Sequence, residues 1–235
     1  MQHNSLIGVI GGTIIDANLC KYFLETKNLS AIPVNISKDP YEQTVLQLTP
    51  EALTRRVQHA IHNLIKKGCS SIFIYCNSMS TAIELNRLRT NFKTPIFTPL
   101  ETYSLIANQH NAFALITANC QALNNLKKNL LIYNPSAVIT GFASLALVND
   151  IENGLSPTDI IKKYDLISYC KMLEDNNIPS LILGCTHFSY LYKKLTEAML
   201  KENIHLNLFD PSEAMFNNLI NYQQSLVSSP LVTHG

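Results

Sequence analysis

The chain has 235 residues, 46% of them hydrophobic and 15% charged, with 18 Lys and Arg against 17 Asp and Glu. A formal net charge of +1 excludes the electrostatic footprint that grips a nucleic-acid backbone or an anionic membrane, and the apolar content excludes a disordered or collagen-like chain. So few charges imply elements buried on both faces, as in parallel sheets covered by helices, and a small molecule as the partner.

Leu6 to Ile10 is an apolar run closed by Gly11-Gly12, a buried strand followed by a tight turn. The wider stretch to Ile15 has no Lys or Arg before it and does not read as a signal peptide. No run reaches the roughly 18 to 20 apolar residues of a membrane span. Asp16 to Thr26 has helical spacing, with Asp16 as the expected N-cap, and Ala31 to Ile36 is the next strand. Thr49-Pro50 opens a helix that Gly68 ends; Ser71 to Tyr75 is a strand running into Cys76-Asn77-Ser78. A helix to about Arg89 and the strand Pro95 to Phe97 complete the first half.

The second half repeats this order. Phe113 to Thr117 and Ala137 to Thr140 are strands, and Ser156-Pro157 opens a helix to about Glu174. The strand Ser180 to Leu183 runs into Gly184-Cys185-Thr186, followed by a helix around Tyr190 to Leu200 and the strand Leu206 to Phe209. Matching landmarks keep a near-constant separation: 107 residues from Pro50 to Pro157, 109 from Cys76 to Cys185 and 112 from Pro99 to Pro211. The repeat predicts an α/β fold of two pseudo-symmetric lobes, each a mostly parallel sheet flanked by helices, with the active site in the cleft between them.

Cys76 and Cys185 each follow a strand and precede a helix, where ligands of parallel sheets bind. A thiol ahead of a helix N-terminus is expected to ionise more readily than a free one. One thiolate facing one thiol across a flat intermediate is what inversion at a carbon requires: a base on one face and an acid on the other. Asn77, Ser78 and Thr186 place donors beside the thiols, and the other four cysteines, at 20, 69, 120 and 170, read as ordinary packing residues. With no CxxC pair, all six read as reduced thiols in a cytoplasmic protein.

These motifs resemble a known family. Cys76-Asn77-Ser78 is similar to the Cys-Asn-Thr motif, and Gly184-Cys185-Thr186-His187 to the Gly-Cys-Thr-His or Gly-Cys-Thr-Glu motif, of the aspartate/glutamate racemase superfamily. The start, Ile7 to Thr13, resembles the family's Ile-Gly-x-x-Gly-Gly-Met, and Asp210-Pro211 its closing Asp-Pro. The resemblance implies a cofactor-independent amino-acid racemase, with Cys76 the base towards the D-enantiomer and Cys185 towards the L-enantiomer. Gly11-Gly12-Thr13 in place of the glutamate racemases' Asp-Ser-Gly points to the aspartate branch, whereas His187 is the glutamate-racemase residue and in that branch assists proton transfer. Asp16 resembles an acidic residue that some aspartate racemases carry. An arginine and a lysine that some of them use on the side-chain carboxylate are missing, with Gln43 near the place of the first and Ser168 near that of the second.

The expected substrate-binding residues are therefore Gly12, Thr13, Gln43, Asn77, Ser78, Asn119, Thr186 and His187, Asn119 being the repeat counterpart of the Gly12-Thr13 turn. No metal-ligand spacing, phosphate loop or Gly-x-Gly-x-x-Gly occurs, so no metal and no cofactor are expected. The first lobe is expected to comprise residues 1–98 plus 205–235 and the second 99–204, the return of residues 205–220 to the first lobe being implied by the resemblance, as is a homodimer. A maleate isomerase-like or other diacid-processing enzyme and a non-catalytic ligand-binding module fit the same features.

Overall fold

The computed structural model describes residues 5–228. The first half runs β1 (Leu6–Gly11), α1 (Ile14–Thr26), β2 (Ser30–Asn35), α2 (Pro40–Leu46), α3 (Pro50–Lys66), β3 (Ser71–Tyr75), α4 (Asn77–Ala82), α5 (Leu85–Asn91), β4 (Ile96–Phe97) and α6 (Tyr103–Ala107). The second runs β5 (Ala112–Thr117), α7 (Cys120–Tyr133), β6 (Val138–Ala143), α8 (Leu145–Glu152), α9 (Pro157–Lys163), α10 (Leu166–Asp175), β7 (Ser180–Leu183), α11 (Tyr192–Lys201), β8 (Asn207–Phe209) and α12 (Pro211–Ser228). Short 3-10 turns at Pro99–Thr102 and Thr186–Leu191 lead into α6 and α11.

Two four-stranded sheets form, β2-β1-β3-β4 and β6-β5-β7-β8, with every pairing parallel. The central strands are buried almost throughout, as their unbroken apolar runs require, while the edge strands β2 and β6 stay half exposed. Helices cover both faces. On the first sheet, Ile10, Ile72 and Ile74 meet Leu53, Val57 and Ile61 of α3, and on its other face Ile7, Val9 and Phe73 meet Ala17 and Leu24 of α1.

The helices that follow β4 and β8 are exchanged between the lobes. Tyr103, Ile106 and Ala107 of α6 pack with Phe113 and Leu115 of the second sheet, whereas Met215 and Leu219 of α12 pack with Ile7, Val9 and Phe73 of the first. The expected return of residues 205–220 to the first lobe is thus corrected in part. β8 pairs with β7 in the second sheet, and the chain crosses back only after Phe209, at Asp210-Pro211. β8 thus holds in the second sheet the edge position that β4 holds in the first.

Other differences are local. The N-cap of α1 is Thr13, whose hydroxyl accepts from Asp16 N at 3.3 Å, so Asp16 lies inside the first turn and is not the cap. The expected helix from Pro157 to Glu174 breaks at Asp165, held at φ +46°. The stretch around Gln43 is α2, capped by the Asp39 carboxylate accepting from Glu42 N at 2.7 Å. Among the described residues no helix is long and apolar enough to cross a membrane.

Candidate active site

Cys76 and Cys185 occupy equivalent positions at the ends of the central strands β3 and β7. Each is an extended residue capping the helical turn that follows, and their side chains belong to different lobes. Both line one small cavity of about 20 Å³, room for roughly one water. Of the other expected residues, Gly12, Thr13, Gln43, Ser78, Asn119 and His187 also line it. Asn77 and Thr186 do not; both are buried just behind their cysteines. A larger groove of about 500 Å³ between α1, α11 and α12 holds Tyr75, Ser189, Asp210 and Ser212, which satisfy one another's hydrogen bonds and so form an inter-lobe joint.

Cys76 has neutral neighbours. Its Sγ lies 3.5 Å from Ser78 Oγ and 4.0 Å from Gln43 Nε2. Gly12 runs so close that a Cβ there would stand 3.3 Å from the sulfur. Burial, and then the Asp16 carboxylate, push the Cys76 thiol well above the ordinary range, although Ser78 and the Met79 N–H favour the thiolate. The expected lowering at the helix N-terminus is therefore overturned for Cys76: α4 is only six residues long, and its N–H groups do not offset desolvation.

Cys185 has a histidine beside it. His187 Nδ1 lies 3.7 Å from Cys185 Sγ and 3.7 Å from Asp16 Oδ1. Its Nε2 lies 2.6 Å from Glu152 Oε1, which also accepts from the Thr13 hydroxyl. Burial works against a charged imidazole, yet Asp16, Cys185 and Glu152 together hold His187 well above its ordinary pKa. Glu152 is held below the usual carboxylate range, because His187 and Thr13 outweigh the burial that pushes it up. Asp16, fully buried, is raised by that burial despite His187, Thr186 and the Gly12 N–H, which donates to its Oδ2 at 3.1 Å.

Glu152 was not among the expected residues. It ends α8, a helix that Ser144 as cap and the apolar positions Leu147, Val148 and Ile151 could have signalled, but no spacing in the chain links it to His187. Asn119 caps α7 through Ala122 N at 2.8 Å and donates across the lobes to Thr44 Oγ1 at 3.3 Å, beside a second crossing from Gln121 Nε2 to Gln47 O. Near the cysteines the buried Asn77 Nδ2 has no hydrogen-bond partner, whereas Asp16 Oδ1 faces the His187 imidazole at 3.7 Å and the Thr186 hydroxyl acts on the Asp16 carboxylate. Of the remaining cysteines, Cys20, Cys69 and Cys170 are buried and Cys120 is exposed.

No family model matches the sequence. The glutamate racemase of Campylobacter curvus is 29% identical over 171 residues, 69% of this chain and 62% of the relative, so the match spans less than two thirds of that protein's length. Glutamate racemase from Francisella tularensis, solved in complex with D-glutamate, superposes with a TM-score of 0.66 at 20% identity, covering 97% of this chain and 84% of the other. The aspartate racemase of Picrophilus torridus superposes with a TM-score of 0.64 at 14% identity, covering 94% of each chain. The chain thus shares its two-lobe fold with these racemases and has glutamate racemases among its sequence relatives.

Proposed function

We propose that this protein is a cofactor-independent racemase that inverts the α-carbon of aspartate or glutamate, with Cys76 and Cys185 as the two acid-base groups. The observation that carries this reading is that two strand-end cysteines from different lobes line one cavity. An α-carbon held between them presents its hydrogen to one sulfur and its opposite face to the other.

Cys76, buried and raised, starts as the thiol and therefore as the acid. Cys185 then removes the α-proton, and Cys76 delivers its own proton to the far face; the reverse direction starts from the mirrored pair. The imidazolium of His187, held between Asp16 and Glu152, offers a donor to the Cys185 sulfur. Gln43, Ser78 and Asn119 line the same cavity and supply polar groups for the amino and carboxylate groups of the substrate. A cavity of about 20 Å³ cannot admit an amino acid unless the lobes part, so closure follows binding and excludes water from the thiols.

Incubating each enantiomer of aspartate and glutamate with the protein in deuterated water tests the reading. Deuterium is expected at the α-position of the inverted product. Absence of both exchange and inversion with all four substrates overturns it.

A further inference from the structure

We propose that Gln47 is a substrate-binding residue of this site, its side-chain oxygen being the acceptor that receives the substrate's α-ammonium group. That the substrate is an amino acid rests on the racemase reading; that an unmet acceptor belongs to the cavity wall rests on the geometry.

No motif of the sequence marks Gln47. It caps the C-terminal end of α2, lines the cavity that Cys76 and Cys185 share, and is only 2% exposed. Its Nε2 donates to the carbonyl oxygen of Gln43, one turn earlier, at 3.1 Å. A carbonyl only accepts, so the amide cannot turn over without setting oxygen against oxygen. The nitrogen end is thereby committed, and Oε1 is left buried with no hydrogen-bond partner.

The two other side-chain amides on the cavity wall differ from it. Gln43 Oε1 accepts from the Ser37 hydroxyl at 3.2 Å, and Asn119 Oδ1 accepts from Ala122 N at 2.8 Å. The Asp16 and Glu152 carboxylates are not on that wall, and both face His187. A buried acceptor left unmet is costly, and only a donor relieves it. In aspartate or glutamate the carboxylates only accept, so the ammonium is the group that can pair with Gln47. The second lobe holds this acceptor in place, because Gln121 Nε2 donates to the backbone oxygen of Gln47 at 3.2 Å. Parting the lobes releases that bond, and closure restores it over a bound ammonium.

The test is calorimetric titration of the full-length protein with both enantiomers of aspartate and glutamate, and with succinate and glutarate, which keep the two carboxylates and lack the amine. The unmodified protein is expected to favour the amino acids. Gln47→Met, close in shape but without the amide oxygen, should weaken the amino acids about tenfold and leave the diacids little changed. Gln47→Glu keeps an oxygen acceptor of the same reach and should retain the preference. A Gln47→Met variant that weakens amino acids and diacids equally would mean that the side chain only holds α2 in place, and overturns the proposal. So do an unchanged preference in Gln47→Met, a lost preference in Gln47→Glu, and an unmodified protein that binds the amino acids no better than the diacids; none of these touches the racemase reading if the α-hydrogen still exchanges. Amine-selective binding that depends on Gln47, without exchange of the α-hydrogen, would instead sink the racemase reading and leave the role of Gln47 standing.

Discussion

His187 Nε2 lies 2.6 Å from Glu152 Oε1, and this contact joins the turn that follows Cys185 to the last residue of α8. The Thr13 hydroxyl donates to the same carboxylate oxygen from the first lobe, so one carboxylate aligns the imidazole and ties the lobes. A neutral histidine would leave Asp16 and Glu152 facing each other without a cation between them. The imidazolium satisfies both.

Replacing Glu152 by Gln should keep the hydrogen bond's shape but remove its charge. The folded pKa of His187 is raised, so the stability it contributes is fully present below the unfolded value of about 6.5 and is lost as pH rises through the folded value. Glu152 is depressed, so its contribution is present above about 4.3 and is lost as pH falls through the folded value. Between those limits the variant should be less stable by about 2 kcal/mol, with the gap narrowing at both ends. Urea unfolding across pH measures this, and a pH-independent gap would contradict the ion pair.

Substituting Ala for Cys76 or for Cys185 should each reduce inversion by at least about 10²-fold, because a two-base reaction has no route with one face unserved. Chiral analysis of the product measures this for each enantiomer. Full activity in either variant contradicts the two-cysteine assignment.

Much of this was legible in the chain because it repeats. Matching landmarks such as Pro50 with Pro157 and Cys76 with Cys185 supplied the lobes, the parallel order and the two thiols, and the run of apolar residues in each central strand supplied its burial. The clamp on His187 was not legible, because Glu152 lies 35 residues away and on another element. Gln43 was placed by resemblance alone; Asp39-Pro40 starts α2, which brings Gln43 to the cavity. The helix-end effect expected at Cys76 failed for an energetic reason: a one-and-a-half-turn helix offers few N–H groups against complete burial.

Cysteine labelling separates reactivity from exposure. Cys76 and Cys185 are 6% and 9% exposed, whereas Cys120 at the start of α7 is open to solvent. Iodoacetamide should therefore modify Cys120 first, contrary to what the strand-end positions alone suggest. In a Cys120→Ser background, labelling of Cys76 or Cys185 should follow lobe opening and slow when substrate is added. Peptide mass spectrometry over time distinguishes them, and faster labelling of Cys20 or Cys170, both fully buried, contradicts the closed form described.

Gly11 and Gly12 should respond differently to alanine. At Gly11 a Cβ would come within 2.5 Å of Ala17 N and 2.8 Å of Thr13 O, both backbone atoms that cannot retreat, so Gly11→Ala should lower stability sharply. At Gly12 it would meet Gln43 Cγ at 3.2 Å and Cys76 Sγ at 3.3 Å, side-chain atoms bordering the cavity. Gly12→Ala should then cost at most about 1–3 kcal/mol of stability while reducing kcat/KM by about tenfold or more. Thermal melts and kinetics on both variants check this, and a Gly12→Ala enzyme of full activity would show that substrate does not approach this turn.

The pH profile reports Cys76 as acid. In the direction that starts with Cys76 protonated, kcat/KM should follow a bell, rising as its partner base ionises and falling when the acid ionises, with both limbs belonging to the coupled pair. Burial first, and Asp16 next, raise Cys76, so the alkaline limb should lie above the free-thiol value of about 8.5. Asp16→Asn removes a negative charge that disfavours the Cys76 thiolate and supports the His187 imidazolium, while its side-chain oxygen can still accept from Gly12 N. The Cys76 thiol should then ionise at lower pH, and the alkaline limb should move down towards the ordinary thiol range. Loss of the Asp16 charge also lowers His187, so a fall in rate near neutral pH should accompany the shift. Measuring kcat/KM for both enantiomers from about pH 6 to pH 11, a span chosen around the free-thiol value, resolves the two effects. An alkaline limb that stays in place or moves up in Asp16→Asn would show that Asp16 does not act on Cys76.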